Sequence, residues 1–244
     1  MKFITENGIK VPAVTAEQMK EIDRIAIEET GPNLFQMMEN AGRNLAELTM
    51  KVIRSDFKQE ILVLAGKGGN SSGGICAARH LANRGYQVKV CITEPEKLKD
   101  VSKYQLHISK STNAEIISIE ELQKENPDLI IDAIIGYSLT GELKGSALEL
   151  IKWAESKLCI KISIDVPSGV DATTGKTYCD FIKPDLTMTL ALPKTGLLPE
   201  LTGELYLADI GIPPNIFSKI NLQYLIETFK NGYIVPLRAN NNAH

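Results

Sequence analysis

Apolar positions along this chain change their period near residue 60. Before that point they recur at helical spacing. Thr15 with Glu17 and Gln18 forms a capping signal, and Met19, Ile22 and Ala26 follow on one face. Gly31-Pro32 stops this helix. A second helix is predicted from about Asn33, with Leu34, Met37, Met38, Ala41, Leu45, Leu48 and Val52 in one stripe that reads as core. Residues 15–54 thus form a two-helix preface.

Beyond it the apolar residues come in short unbroken runs: 61–65, 88–92, 116–119, 129–135, 160–166, 186–192 and 205–210. Runs of this kind are expected of strands buried on both faces. Helical patterns at 73–84, about 97–110 and 143–157 lie between several of them. The alternation predicts an α/β fold with a largely parallel sheet, covered on both sides, in one domain spanning 1–244. The loop carrying Pro193, Gly196 and Pro199 separates the last two runs, so a mixed far edge is expected. The polar tail, 239–244, is expected to fray.

Composition narrows the class. The chain has 244 residues, 43% of them hydrophobic, and 27 basic against 30 acidic residues give a net charge of −3. That balance argues against a nucleic-acid partner, and no apolar run is long enough to span a membrane. The first residues contain no secretory apolar stretch, so a cytoplasmic protein is expected. Cys76, Cys91, Cys159 and Cys179 are widely spaced and read as reduced thiols in the core. His80, His107 and His244 have no metal-ligand spacing, which disfavours zinc enzymes and Ser-His-Asp hydrolases. His80 reads as a surface or core-edge residue, and Trp153, in stripe with Leu150, as packed on the sheet.

In open parallel sheets, ligands collect beyond the carboxyl ends of the strands. Three loops there carry chemistry. The first, 66–74, holds five glycines, Gly66, Gly68, Gly69, Gly73 and Gly74, with Asn70, Ser71 and Ser72 among them. It suits close backbone approach to an anion, although it is neither a P-loop nor a proper dinucleotide fingerprint. The second follows Asp132, an acid inside an apolar strand, which either caps local backbone or meets a cation. The third contains Asp165 and Ser168 in a forced turn. An amide, two carboxylates and a hydroxyl at one sheet edge suit a hard cation or a polar, phosphorylated ligand. Lys194 reads equally as a phosphate contact or a solvated loop lysine.

The order and spacing of these landmarks resemble the NAD(P)H-hydrate epimerase family, also called the YjeF N-terminal domain family. They run from Gln18-Met19 and Met38-Glu39-Asn40-Ala41-Gly42 through Ala77-Ala78-Arg79-His80-Leu81 to Pro193-Lys194-Thr195-Gly196 and Ala208-Asp209-Ile210-Gly211. The resemblance implies a three-layer α/β/α Rossmann-like sandwich, a homodimer, and interconversion of the R and S forms of hydrated NADH or NADPH. It implies a functional link to a separate NAD(P)H-hydrate dehydratase and one potassium ion per subunit on Asn70, Asp132 and Ser168. Gly69, Asn70, Ser71, Ser72 and Gly73, then Gly136, Tyr137, Ser138, Leu139, Thr140, Gly141 and Glu142, match the substrate loops, and Asp165 matches a further contact. For acid/base work at C6 the first candidate is Asp165 and the second Glu142.

Departures from the family pattern fall at Gly69, Ser71, Ser72 and Gly73, the last standing where an aspartate is usual, and at Thr140, where lysine is common. The competing reading is a catalytically weakened nucleotide-binding or scaffold module. A nicotinamide dehydrogenase fits less well, because no hydride-transfer site or dinucleotide fingerprint is evident.

Overall fold

A computed structural model gives the fold, and it describes every residue except Met1, Ser55, Cys179, Tyr224, Leu225 and 241–244. The expectations for Cys179, for His244 and for most of the polar tail therefore lie outside the described residues. Helix α1 (Ala16–Ile25) starts at a capping box in which Thr15 and Gln18 exchange side-chain and backbone hydrogen bonds, and α2 (Leu34–Val52) starts at the same device built from Asn33 and Gln36.

The strands form one ten-stranded sheet. Its parallel part contains β3 (Glu60–Ala65), β4 (Gln87–Ile92), β5 (Glu115–Ile117), β6 (Leu129–Ala133), β7 (Ile160–Ile164), β8 (Leu186–Leu190) and β9 (Glu204–Ala208). Side chains alternate between its faces. In β3, Ile61, Val63 and Ala65 enter the larger apolar cluster with α2, whereas Leu62 and Leu64 enter a second cluster with Trp153 and Leu150 of α5 (Gly145–Glu155). Helices α2, α3 (Gly69–Ala82) and α4 (Asp100–Ser109) thus cover one face and α5 the other, completing three α/β/α layers.

The sheet order is β2-β1-β10-β9-β8-β7-β6-β3-β4-β5, where β1 is Lys2–Thr5, β2 Lys10–Val11 and β10 Ile234–Asn240. Two expectations change here. The last two apolar runs, β8 and β9, are parallel to each other. The mixed edge is built instead by β10, β1 and β2, all antiparallel. Ala239 and Asn240, assigned to the tail, pair with Phe3 and Lys2. A seven-residue strand at the end of the described residues gave no signal because Pro236 interrupts its run. Strand β10 lies between β9 and β1, and Pro236 pairs with Tyr206 of β9 just outside the register with β1, which stops at Leu237.

The order also locates the site. From β3 the chain moves to β4 and β5, then returns to place β6 on the opposite side of β3. The loops after β3 and β6 therefore diverge at a topological switch point, the usual ligand crevice of such sheets.

Candidate functional site

The glycine segment after β3 is mostly helix. Helix α3 begins at Gly69, so Ser71, Ser72 and Gly73 sit in its first turns and are buried. Ser71 Oγ donates to Gly68 O at 2.6 Å and lies 2.8 Å from Ser102 Oγ. The glycines permit close packing: a Cβ on Gly74 would meet the Ala133 Cβ at 2.4 Å, and one on Gly73 the Ile164 side chain at 2.6 Å. Gly66 has the tightest demand, since a Cβ there would stand 1.9 Å from the Ile134 carbonyl oxygen across the switch point.

Above this crevice lies an open cavity of about 630 Å³, within the usual range for small-ligand pockets. Gly69, Asn70, Gly136, Tyr137, Ser138 and Asp165 all line it. Other residues of the two predicted substrate loops do not. Ser71, Ser72, Gly73 and Leu139 are buried outside its lining, whereas Thr140, Gly141 and Glu142 are exposed beyond it. Glu142, the second acid/base candidate, is therefore not on the cavity wall.

Beneath the floor, Asp132 is fully buried. Ser163 Oγ (2.7 Å), Ser168 N (2.9 Å), Ile134 N (3.3 Å) and Ser168 Oγ all donate to its carboxylate. Burial pushes its pKa upward against these hydrogen bonds. All four donors are neutral. Asn70 Nδ2 donates to Ile164 O at 2.9 Å, and its Oδ1 faces Gly136, where a Cβ would come within 2.3 Å. Asn70, Asp132 and Ser168 thus gather at the ends of three neighbouring elements.

Asp165 is organised differently. It stands one residue past β7 with φ of 69°, a left-handed conformation costly for aspartate, and Ala191, one residue past β8, has φ of 60°. Left-handed backbone thus stands at two adjacent strand ends, and Asp165 at the first of them lines the cavity. Asp165 Oδ1 is ion-paired with Lys194 Nζ, and both side chains are 1% exposed. Lys194 also donates to Leu190 O at 2.9 Å. Asp165 accepts from Tyr137 N at 3.3 Å and from Leu190 N at 3.4 Å. Lys194 is consequently neither a solvated loop lysine nor an exposed phosphate contact.

Sequence reasoning missed Asp23. On α1 an acid among charged neighbours reads as solvent face, yet Asp23 lines the cavity and accepts from Tyr137 Oη at 2.6 Å. Its position four residues beyond Met19, at the margin of the apolar stripe, was the only signal.

A second polar cluster lies between α2 and α3. Glu39, Cys76 and His80 bring potential ligand atoms within 4.8 Å, although their sequence spacing gave no hint of it. Arg79 already occupies this space, donating to both Glu39 oxygens at 2.6 Å. Burial raises the Glu39 pKa, but hydrogen bonds from Arg79, Gln105 and His80 hold it at about 2. Burial also pushes the Cys76 thiol up to about 12. The cluster is an interhelical clamp rather than a metal centre. Cys76 and Cys91 are buried free thiols, as expected, whereas Cys159 is only half-buried.

Fold and site together define a small-molecule-binding protein of the parallel α/β class. The family described as YjeF-related protein N-terminus matches residues 34–196, and the chain belongs to it. It is 46% identical over 240 residues, 98% of each chain, to a protein of Dehalogenimonas lykanthroporepellens named NAD(P)H-hydrate epimerase. It is 34% identical to the Bifunctional NAD(P)H-hydrate repair enzyme Nnr of Hyperthermus butylicus over 83% of this chain but 39% of that longer protein. The crystal structure of yeast ynu0 superposes with a TM-score of 0.77 at 24% identity, covering 93% of this chain and all of that one, which speaks for the fold. Among the described residues no helix is long and apolar enough to cross a membrane.

Proposed function

We propose that this chain is an NAD(P)H-hydrate epimerase, interconverting the R and S forms of hydrated NADH or NADPH. The observation that carries the reading is the buried Asp165–Lys194 pair, lining a cavity at the switch point of a sheet whose near relative, matched end to end, bears that name. Inversion at C6 of the reduced ring requires its C–O bond to break with both electrons going to oxygen. The ring nitrogen lone pair then forms an iminium cation, and the departing hydroxyl takes a proton to become water. Water returns on the other face and gives up a proton, so no electron carrier is consumed.

This chain's residues serve those demands. Asp165 receives three donors in the resting site and stands as a fixed anion beside the developing cation. Gly69, Asn70, Gly136, Tyr137 and Ser138 bound the space for the nicotinamide end. The helix start at Gly69 and the lysines at the rim, among them Lys67 and Lys144, suit the phosphates.

Potassium fits the floor. Asn70, Asp132 and Ser168 offer amide, carboxylate and hydroxyl oxygens, and the Asp132 carboxylate meets only neutral donors. We place one ion per subunit on these three residues. When bound, it supplies a fixed positive charge for polar groups of the substrate. A homodimer, a cytoplasmic location and supply of the S form to a separate dehydratase complete the proposal.

The test is equilibration of the purified R isomer of hydrated NADH, followed in potassium and in sodium. Epimerisation faster than in buffer, and faster in potassium, is expected. A protein that binds the isomer without speeding its inversion would instead be a nucleotide-binding or scaffold module.

A further inference from the structure

The chemistry needs a group that changes its protonation state within reach of the migrating oxygen, and Asp165 is a poor choice for it. Its two oxygens already receive the Lys194 ammonium and two backbone N–H groups, and it is 1% exposed. Glu142 is exposed and off the wall. We propose that Asp23, paired with Tyr137, is the proton-transfer residue of the site, protonating the departing C6 hydroxyl and deprotonating the returning water. This rests on the epimerase reading.

The geometry is specific. Asp23 projects from α1 onto the cavity wall, and Tyr137 links it to the opposite acid: the tyrosine backbone N–H donates to Asp165 while its phenol donates to Asp23. The two carboxyl groups are therefore bridged by one tyrosine, through its backbone N–H and its phenol, and both line the cavity. One acid is saturated by a cation and backbone amides. Among the described residues the other accepts one hydrogen bond, from the Tyr137 hydroxyl, and lines the cavity.

Its surroundings poise it for transfer. Burial pushes the Asp23 pKa up to about 6, against the Tyr137 hydrogen bond and the attraction of Lys194, with Asp165 adding to the rise. On its own helix, Arg24 is taken up by Glu21, Glu28 and Glu29, which leaves Lys20 as the other near cation of α1. Across the cavity stand Lys67, Glu94, Lys97, Lys99 and Lys144, of which Lys67 and Lys97 are paired with Glu94. A carboxyl that titrates near neutrality can give and then take the same proton, as the two half-reactions demand. The Tyr137 phenol, raised far above its ordinary range by burial and by Asp23, stays a donor throughout.

Three proteins test this: wild type, Asp23→Asn and Tyr137→Phe, each assayed with the R isomer at pH values on both sides of about 6. Asp23→Asn should lower kcat by about 100-fold or more with KM changed less than about threefold. It should also abolish the pH limb near 6 in the residual rate. Tyr137→Phe, which removes a hydrogen bond that favours the carboxylate, should move that limb to higher pH. Asp23→Asn should melt above the wild-type temperature at neutral pH, so loss of turnover cannot come from misfolding. An active wild type with an equally active Asp23→Asn variant, or an unmoved limb in Tyr137→Phe, overturns the assignment and leaves the epimerase reading intact. A wild type without epimerisation overturns both.

Discussion

Asp132 and Asp165 sit at the carboxyl ends of adjacent parallel strands, and both are buried, yet they are neutralised in opposite ways. Asp132, under the floor, meets four neutral donors from two serines and two backbone amides. Asp165, on the wall, has its own cation, Lys194. A buried carboxylate needs partners in either case. The difference lies in what each leaves over: the wall pair is internally balanced, while the floor carboxyl has only neutral dipoles around it. The first arrangement fixes an anion beside a reacting ring. The second is the one on which the proposed function places potassium.

Removing the counter-charge from the wall is the harshest way to break this contrast. Lys194→Met leaves Asp165 buried and unpaired, and urea denaturation should show a loss of about 3–5 kcal/mol. A loss below about 1 kcal/mol would mean that the pair is not what balances Asp165.

The next effect has the opposite sign. In the unfolded chain an aspartate ionises near 4, whereas Asp23 in the fold ionises at about 6. The folded state holds this proton more tightly, so its contribution to stability is full below about 4 and is lost as pH rises through about 6. Asp23→Asn removes that loss, and the protein should gain up to about 3 kcal/mol above the transition, with little gain in acid. Denaturation at both pH values measures it. Activity and stability are thus opposed at this residue.

On the floor, Ser168→Ala removes one donor to Asp132 and should cost about 2 kcal/mol. It should also diminish any rise in melting temperature produced by potassium over sodium. Glu142→Gln sharpens the contrast from outside, because an exposed side chain off the cavity should change stability by less than about 0.5 kcal/mol. Its turnover should stay near that of the wild type.

Much of this was readable in advance, and the failures have physical causes. The seven parallel strands lie where the apolar runs fall; in β3, β6, β7 and β8 burial on both faces leaves an unbroken hydrophobic signature, whereas β5 at the edge is mostly exposed. Run ends overshoot: 129–135 and 160–166 continue past Ala133 and Ile164 because Ile134 and Val166 are buried in the turns that follow. The start of α3 was hidden, since glycines and serines read as loop when what they provide is close helix–sheet approach. Asp132 and Ser168 were legible as acid and hydroxyl at strand ends, and the structure brings them into direct contact. Lys194 and Asp23 were not, because burial of a charged side chain depends on partners distant in sequence: Asp165 for one and Tyr137 for the other.

The most direct test of the central claim starts purified wild-type protein separately from the R and the S isomers of hydrated NADH and follows both by chromatography. The account predicts that the two reactions converge on one R/S ratio faster than matched buffer, with no reduced or oxidised nicotinamide released. Time courses that track buffer from both starting isomers would contradict it.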